Sequence, residues 1–312
     1  MGKLIESIPT AVTEAVAESL RLFRQANFRE VSERHETSQP LPSLLERCQQ
    51  YIPADHQPRK EPIRLIHHFA CTGGTLIAKC IASMPNTQLL SEVEPHSTIQ
   101  QQRRSKFAPT DLIGLVRNSS RGSESELESK LFLVALETLY EDCTRKGLRL
   151  ILRDHAHSSY CTGPAISAAP HLRRLLNDRH ALQSIVTVRN PLDSWLSLNK
   201  NGWVHFQPGS LDEYAARYHR FLDDHADLPT FRYEDFVSNP DQQLQEMCTA
   251  LDLPYTKDYK MLFAVHQFSG DSGRSSDVIG SRPRREVPST IAEEAVASTA
   301  YRGLCRRLAY DA

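Results

Sequence analysis

The stretch from Ile63 to Met84, IRLIHHFACTGGTLIAKCIASM, restricts the fold more than any other part of the chain. The apolar run Ile63 to Phe69 reads as a buried strand, Cys71-Thr72-Gly73-Gly74-Thr75 as a tight polar turn, and the residues from Leu76 as an apolar helix. A strand that turns directly into a helix aims the helix N-terminus and unpaired backbone N–H groups at one point, which suits an oxyanion such as phosphate or sulfate. Two glycines let the backbone approach that anion and take turn angles that other residues resist. Thr72 and Thr75 add hydroxyl donors. The turn is not a Walker A motif, which needs G-x-x-x-x-G-K-[ST]; the only Gly-Lys pair is Gly2-Lys3, with no strand before it. Alone, such a turn reads equally well as a plain connection, so the case requires a second anion site.

That second site lies in Ser184 to Asn199, SIVTVRNPLDSWLSLN. Ile185 to Val188 reads as a buried parallel strand with Arg189 at its carboxyl end. Asn190 is a good helix N-cap and Pro191 suits the first helical position. Ser197 falls roughly two turns into that helix. Arginine at a strand end offers a planar, permanently charged fork for phosphate oxygens. Taken singly, a structural ion pair for Arg189 and a surface hydroxyl for Ser197 would serve as well.

Together the two stretches resemble the sulfotransferase family that uses PAPS (3′-phosphoadenosine 5′-phosphosulfate). The family's first signature, K/R-S/T-G-T-T/S-x, reads here Cys71-Thr72-Gly73-Gly74-Thr75-Leu76, and its second, R-[DN]-P-x-D-x-x-x-S, reads Arg189-Asn190-Pro191-Leu192-Asp193-Ser194-Trp195-Leu196-Ser197. Phe231-Arg232-Tyr233-Glu234-Asp235-Phe236 resembles a YEDL-type segment, and Ser269 to Arg274, leading to Arg282-Pro283-Arg284-Arg285, resembles the basic segment that closes over the nucleotide. The resemblance implies that Thr72, Gly73, Gly74, Thr75 and Leu76 hold the 5′-phosphosulfate, that Arg189 and Ser197 hold the 3′-phosphate, and that Arg282, Arg284 or Arg285 covers the nucleotide. One departure is plain: Cys71 stands where the signature has Lys or Arg. Cysteine cannot neutralise an anion, and a thiolate would repel it, so another cation must reach in or the site has lost activity. His67, His68, Arg153 and Arg274 are the candidates.

The base follows from the strand Leu148 to Leu152 and the next residues, Arg153-Asp154-His155-Ala156-His157. These resemble the family's K-x-H segment, with Arg153 in the Lys place and His155 as the catalytic histidine. A neutral imidazole near its ordinary pKa suits proton abstraction at physiological pH. Asp154, His157, Glu92 and Glu94 remain open as alternatives. Glu92 and Glu94 are read as lying after the second strand, free either to orient an acceptor or to pair with Arg153. Sulfuryl transfer can draw its positive field from the protein, so no metal is expected to be required, and a metal held by the His-x-His pair lacks a third ligand by spacing. Tyr233 and Glu234 read as a structural tie and Trp195 as core, with Trp203 open to lining the nucleotide or acceptor site.

The chain has 312 residues, 40% hydrophobic and 24% charged, which is ordinary for a globular protein with a substantial core. With 37 basic and 38 acidic residues it offers no nucleic-acid surface or polybasic membrane patch. Seven scattered cysteines without a C-x-x-C pair suggest a reducing compartment. The N-terminus lacks the apolar core of a secretory signal, and no run reaches 18 apolar residues, so a cytoplasmic protein without a membrane span is expected.

The organisation expected is an N-terminal helical extension over residues 1–60 and a sulfotransferase domain over 61–312. Ala11 to Phe23 carry helical spacing, and Glu30 to Pro62 are polar and proline-bearing. The extension has three uses open to it: packing on the core, joining two copies as a homodimer, or walling the acceptor pocket. From Ile63, short apolar strands alternate with helices, and a single closing helix is read over Ile291 to Tyr310 with Ile291, Val296, Leu304 and Leu308 near one face. The fold class expected is α/β: a central, mostly parallel sheet with helices on both faces, resembling the P-loop NTPase-like sulfotransferase fold. The function expected is sulfuryl transfer from PAPS to a hydroxyl or amine of a small-molecule or carbohydrate acceptor. The alternatives are a P-loop-type small-molecule kinase, which lacks its Walker A lysine here, and a catalytically inactive nucleotide-binding protein of the same fold.

Overall fold

The computed structural model describes residues 60–97, 99, 110–167, 171–268 and 278–311, together with Glu18 and Arg21. The expected helix of Ala11 to Phe23 (but for those two residues), the stretch from Glu30 up to residue 59 and the segment Ser269 to Arg274 lie outside the described residues. The described core belongs to the compact unit Lys60–Ala312.

In chain order the elements are β1 (Ile63–His68), α1 (Gly74–Ala82), β2 (Thr87–Val93), α2 (Leu112–Arg117), α3 (Ser125–Arg145), β3 (Arg149–Asp154), α4 (Ala156–Tyr160), β4 (Thr162–Gly163), α5 (Leu172–Leu176), β5 (Leu182–Val188), α6 (Pro191–Lys200), β6 (His205–Phe206), α7 (Leu211–Asp224), β7 (Thr230–Arg232), α8 (Tyr233–Ser238), α9 (Pro240–Ala250), α10 (Tyr259–Leu262), a 3₁₀ turn (Phe263–Val265), α11 (Ser289–Ala297) and α12 (Thr299–Leu308). Five strands form one sheet in the order β2-β3-β1-β5-β7, every pairing parallel. The expected α/β class is therefore observed. β4 and β6 form a separate two-stranded piece that the sequence did not announce.

β1 is central and buried along its whole length, because helices cover both faces of the sheet. Alternation sends Ile63 and Leu65 into one core cluster and Ile66 into another, beside α1 and α9. Arg64 lies in this buried strand because its guanidinium is fully used: Nε donates to the Leu251 carbonyl at 2.9 Å, Nη2 to Asp252 at 3.0 Å and Nη1 to Pro62 at 2.8 Å. Phe69 follows the strand into an aromatic cluster, stacked on Tyr218 at 4.4 Å and tilted against Tyr214 at 5.3 Å and Phe221 at 5.4 Å.

Several expected boundaries move. β2 continues to Val93, with a register shift between Leu90 and Val93, and Glu92 takes a φ of 59° there. Glu92 is thus inside the strand, not after it. β3 continues through Arg153 and Asp154, because both polar side chains find partners and need not leave the sheet. The closing helix is two helices. Ser298 leaves the helical region, accepts from the Tyr301 N–H at 2.9 Å to cap α12, and donates to Asp212 at 2.5 Å. The break removes Val296 from the shared face; it is 75% exposed, whereas Leu304 is buried. Trp195 is core, as read.

Replacing Phe69 by Ala empties the centre of the aromatic cluster beneath the turn. The expected cost is about 3–5 kcal/mol of unfolding free energy, seen in denaturant unfolding as a lower midpoint with an unchanged slope.

Candidate functional site

β1 sits between β3 and β5, so the carboxyl ends of these three strands open side by side, and ligands of open parallel sheets bind in such a crevice. Residues at or just beyond the carboxyl ends of all three strands line one cavity of about 380 Å³. Thr72, Gly73, Gly74, Thr75 and Leu76 come from the first, Arg153 and His155 from the second, and Arg189 and Ser197 from the third, with Arg282, Arg284 and Arg285 on the rim. The residues assigned from sequence to the nucleotide, together with Arg153 and His155, are therefore brought to one place, whereas His67, Asp154 and Glu94 do not line it and Arg274 lies outside the described residues.

The turn is built from its own backbone. The Phe69 carbonyl accepts from the Thr72 N–H at 3.3 Å and from the Thr72 hydroxyl at 2.8 Å. That hydroxyl is used inside the turn and is not the outward donor expected from sequence. Gly73 has a φ of 85°, and a Cβ there would lie 2.3 Å from the Tyr233 ring. A Cβ on Gly74 would lie 2.4 Å from the His68 ring. α1 starts without a side-chain cap and without an acidic residue in its first turn, leaving its positive end to the cavity.

Cys71 has a φ of 63°, and its carbonyl accepts from Arg189 at 3.4 Å. Burial pushes the Cys71 thiol up to about 11, against the opposing pull of a Ser197 hydrogen bond and the Arg189 charge. It is protonated at physiological pH, so the repulsive thiolate considered from sequence does not arise. Arg189 lies over the Tyr233 ring at 4.9 Å, and its buried Nε has no hydrogen-bond partner among the described residues. Tyr233 is thus a wall of the cavity, while Glu234 makes the structural tie, accepting from the Asn190 N–H at 3.0 Å and the Tyr310 hydroxyl at 2.6 Å. Asn190 caps α6 as read, its Oδ1 accepting from Leu192 at 3.0 Å and Asp193 at 3.3 Å.

Of the four candidate cations, Arg153 reaches the turn. Its side chain is 1% exposed; Nη1 donates to Thr75 Oγ1 at 3.1 Å and Nη2 to Glu92 Oε1 at 2.9 Å. His67 points to the opposite face, where its Nδ1 lies 2.9 Å from Asp154 Oδ2 and its ring 4.3 Å from that of His225. His67, Asp154 and His225 place one potential ligand atom each within 4.8 Å of the others, a cluster built on residues apart from the His-x-His pair. Burial raises Asp154, but the His67 hydrogen bond and the neighbouring imidazoles more than offset it, so it stays ionised. His68 lines the cavity, but burial, followed by the Arg153 charge, holds it well below the usual range, so it supplies no charge.

His155 follows β3 and is 9% exposed at the cavity. Burial lowers its pKa, with Glu92 and Asp154 pulling the other way, so the ring is neutral near pH 7. Beside it, His157 and Trp203 also line the cavity, their rings 6.2 Å apart. Sequence reasoning missed Lys79 and Phe263. Lys79 falls one helical turn after Thr75, a spacing that could have pointed to it; Phe263 arrives from a distant 3₁₀ turn that no local pattern announces. Arg284 donates to Asp193 at 2.8 Å, fastening the rim to α6. Glu94 does not line the cavity; it accepts from the Ser159 hydroxyl at 2.9 Å and the His96 N–H at 3.0 Å.

Burial, then the Asp154 charge, pushes the Glu94 carboxyl up to about 7. A carboxyl raised above its unfolded value binds its proton more tightly when folded, so stability falls as pH rises from the unfolded to the folded pKa. Glu94→Gln is expected to remove that loss. Between pH 4.5 and pH 7 the wild type should lose on the order of 2–3 kcal/mol relative to the variant, as read by denaturant unfolding at each pH.

The profile of the Sulfotransferase family matches residues 65–257, well over half of the chain and all of the sheet except the start of β1. No curated protein matches the chain. Among solved structures, the chain is similar to a sulfotransferase domain from the Synechococcus PCC 7002 olefin synthase, at 17% identity and a TM-score of 0.46, over 82% of this chain and 98% of that one. It is also similar to a sulfotransferase domain from the curacin biosynthetic pathway, at 15% identity and 0.42, over 81% and 99%. A third similarity is to mouse sulfotransferase SULT7A1 complexed with PAP, at 13% identity and 0.38, over 80% and 89%. On the extent of the profile match, with both its signature stretches meeting at one cavity, this chain belongs to the sulfotransferase family.

Proposed function

We propose that the chain transfers a sulfuryl group from PAPS to a hydroxyl or amine of a small acceptor, releasing PAP. The observation that carries this reading is the pairing of two separate anion-binding arrangements in one cavity. One is the uncapped N-terminus of α1 behind Gly73 and Gly74, and the other is Arg189 with a buried Nε that lacks a partner among the described residues. A nucleotide with phosphates at both its 3′ and 5′ positions needs two such places; a simple nucleoside diphosphate needs one.

The donor set suits the molecule. The backbone from Thr72 to Leu76 receives the 5′-phosphosulfate, and Arg189 with Ser197 receives the 3′-phosphate. Arg282 and Arg285 add positive charge at the rim, held in place through Arg284 and Asp193. Bound there, PAPS supplies a sulfuryl group on a good leaving phosphate. Arg153 stabilises charge on that group in place of the side chain missing at Cys71, its own burial offset by Glu92 and Thr75. His155, neutral and facing the cavity, takes the acceptor proton as the new O–S or N–S bond forms. Arg153 at the turn is what weighs against an inactive protein, and the missing Walker A lysine is what weighs against a kinase.

The test is calorimetric binding of PAP and ADP to the wild type and to Arg189→Ala. PAP should bind tighter than ADP, and the variant should lose roughly 1.5–3 kcal/mol, about tenfold or more, for PAP alone. Equal binding of PAP and ADP, or binding of neither, rejects the reading.

A further inference from the structure

His68 has no role in the arrangement above, yet it sits at its centre. It ends β1 on the same face as Ile66, lines the cavity, and lays its ring over Gly74 so closely that a Cβ there would meet His68 Cδ2 and Cγ at 2.4 Å. Any side chain at position 74 would push the ring away from the turn. Gly74 is therefore needed for the neighbour it admits, not for its own backbone angles, since of the two glycines it is Gly73 that carries the positive φ.

The two ring nitrogens differ. Nδ1 is buried and has no hydrogen-bond partner among the described residues. A buried nitrogen with no acceptor in reach keeps its lone pair, which puts the proton of a neutral imidazole on Nε2. His68 thus offers the cavity a donor. The charged and titratable groups around it are Arg153, Asp154, His155 and His67; burial and then Arg153 act most strongly, and together they keep the ring uncharged. A neutral imidazole donor beside a fixed cation can polarise an oxygen without placing a second full charge in the crevice.

Building on the PAPS reading, we propose that His68 binds the transferring sulfuryl group, its Nε2–H donating a hydrogen bond to a sulfuryl oxygen above Gly74. No proton leaves His68. The bond from acceptor to sulfur forms, the bond from sulfur to the bridging oxygen breaks, PAP departs with that electron pair, and the acceptor proton goes to His155. His68 holds the oxygens of the group in flight, while Arg153 neutralises them from the Thr75 side.

PAP lacks the sulfuryl group that PAPS carries, so the two nucleotides isolate this contact. Calorimetric titration of each, without acceptor, is made on the wild type, His68→Ala and His68→Gln, with thermal melting as a check on folding. His68→Ala should bind PAPS about tenfold more weakly while PAP stays within about twofold of wild type, and His68→Gln, whose amide N–H reaches a similar distance, should recover part of the loss. Unchanged PAPS affinity in His68→Ala, or an equal loss for PAP and PAPS, overturns the proposal. If the wild type binds neither nucleotide, the PAPS reading itself fails and takes this inference with it; if it binds PAP but the His68 variants show no PAPS-specific loss, only the inference fails.

Discussion

The arrangement depends on β1 lying between β3 and β5 in a parallel sheet. A parallel strand pair needs a crossover, so residues far apart in sequence end their strands at the same edge. The register makes this concrete: Ile66 pairs with Arg153 on one side, and His68 with Thr187 on the other. Within one turn of those pairs lie the Cys71 to Thr75 loop, His155 and Arg189. The loop's seat is equally determined, since Phe69 is locked among Tyr214, Tyr218 and Phe221 while its carbonyl closes the turn through Thr72. An anion site made from backbone N–H groups works only if the backbone cannot drift, and the aromatic cluster supplies that rigidity.

The electrostatics follow from the same geometry. In the proposed site the cation missing at Cys71 would come from the neighbouring strand, where Arg153 is buried and held by both Glu92 and Thr75. Burying a guanidinium is costly unless it is paired, and the bulge that turns Glu92 toward it in β2 removes that cost. Cys71 becomes a small neutral link between the loop and Ser197, its thiol kept protonated by burial.

Much of this was legible in the sequence, because the signals were local. Asn190-Pro191 announced a capped helix, the Gly73-Gly74 turn announced a strand–helix junction, and the spacing from Arg189 to Ser197 matched the second signature. What stayed hidden depended on partners. Glu92, Arg153 and Asp154 read as strand-ending polar residues, yet each remains in its strand because a distant side chain satisfies it. Ser298 split the last helix through a hydrogen bond to Asp212, and Phe263 reached the cavity from a region with no pattern in common with it. The reason for Gly74 could not be read at all without the position of the His68 ring.

In the function proposed, both ends of a bisphosphorylated nucleotide are held in this one cavity. A crystal structure with PAP bound tests it most directly. The 5′-phosphate is expected against the backbone of Thr72 to Leu76 and the 3′-phosphate against Arg189 and Ser197. PAP bound elsewhere, or seated here with its 3′-phosphate away from Arg189, would contradict it.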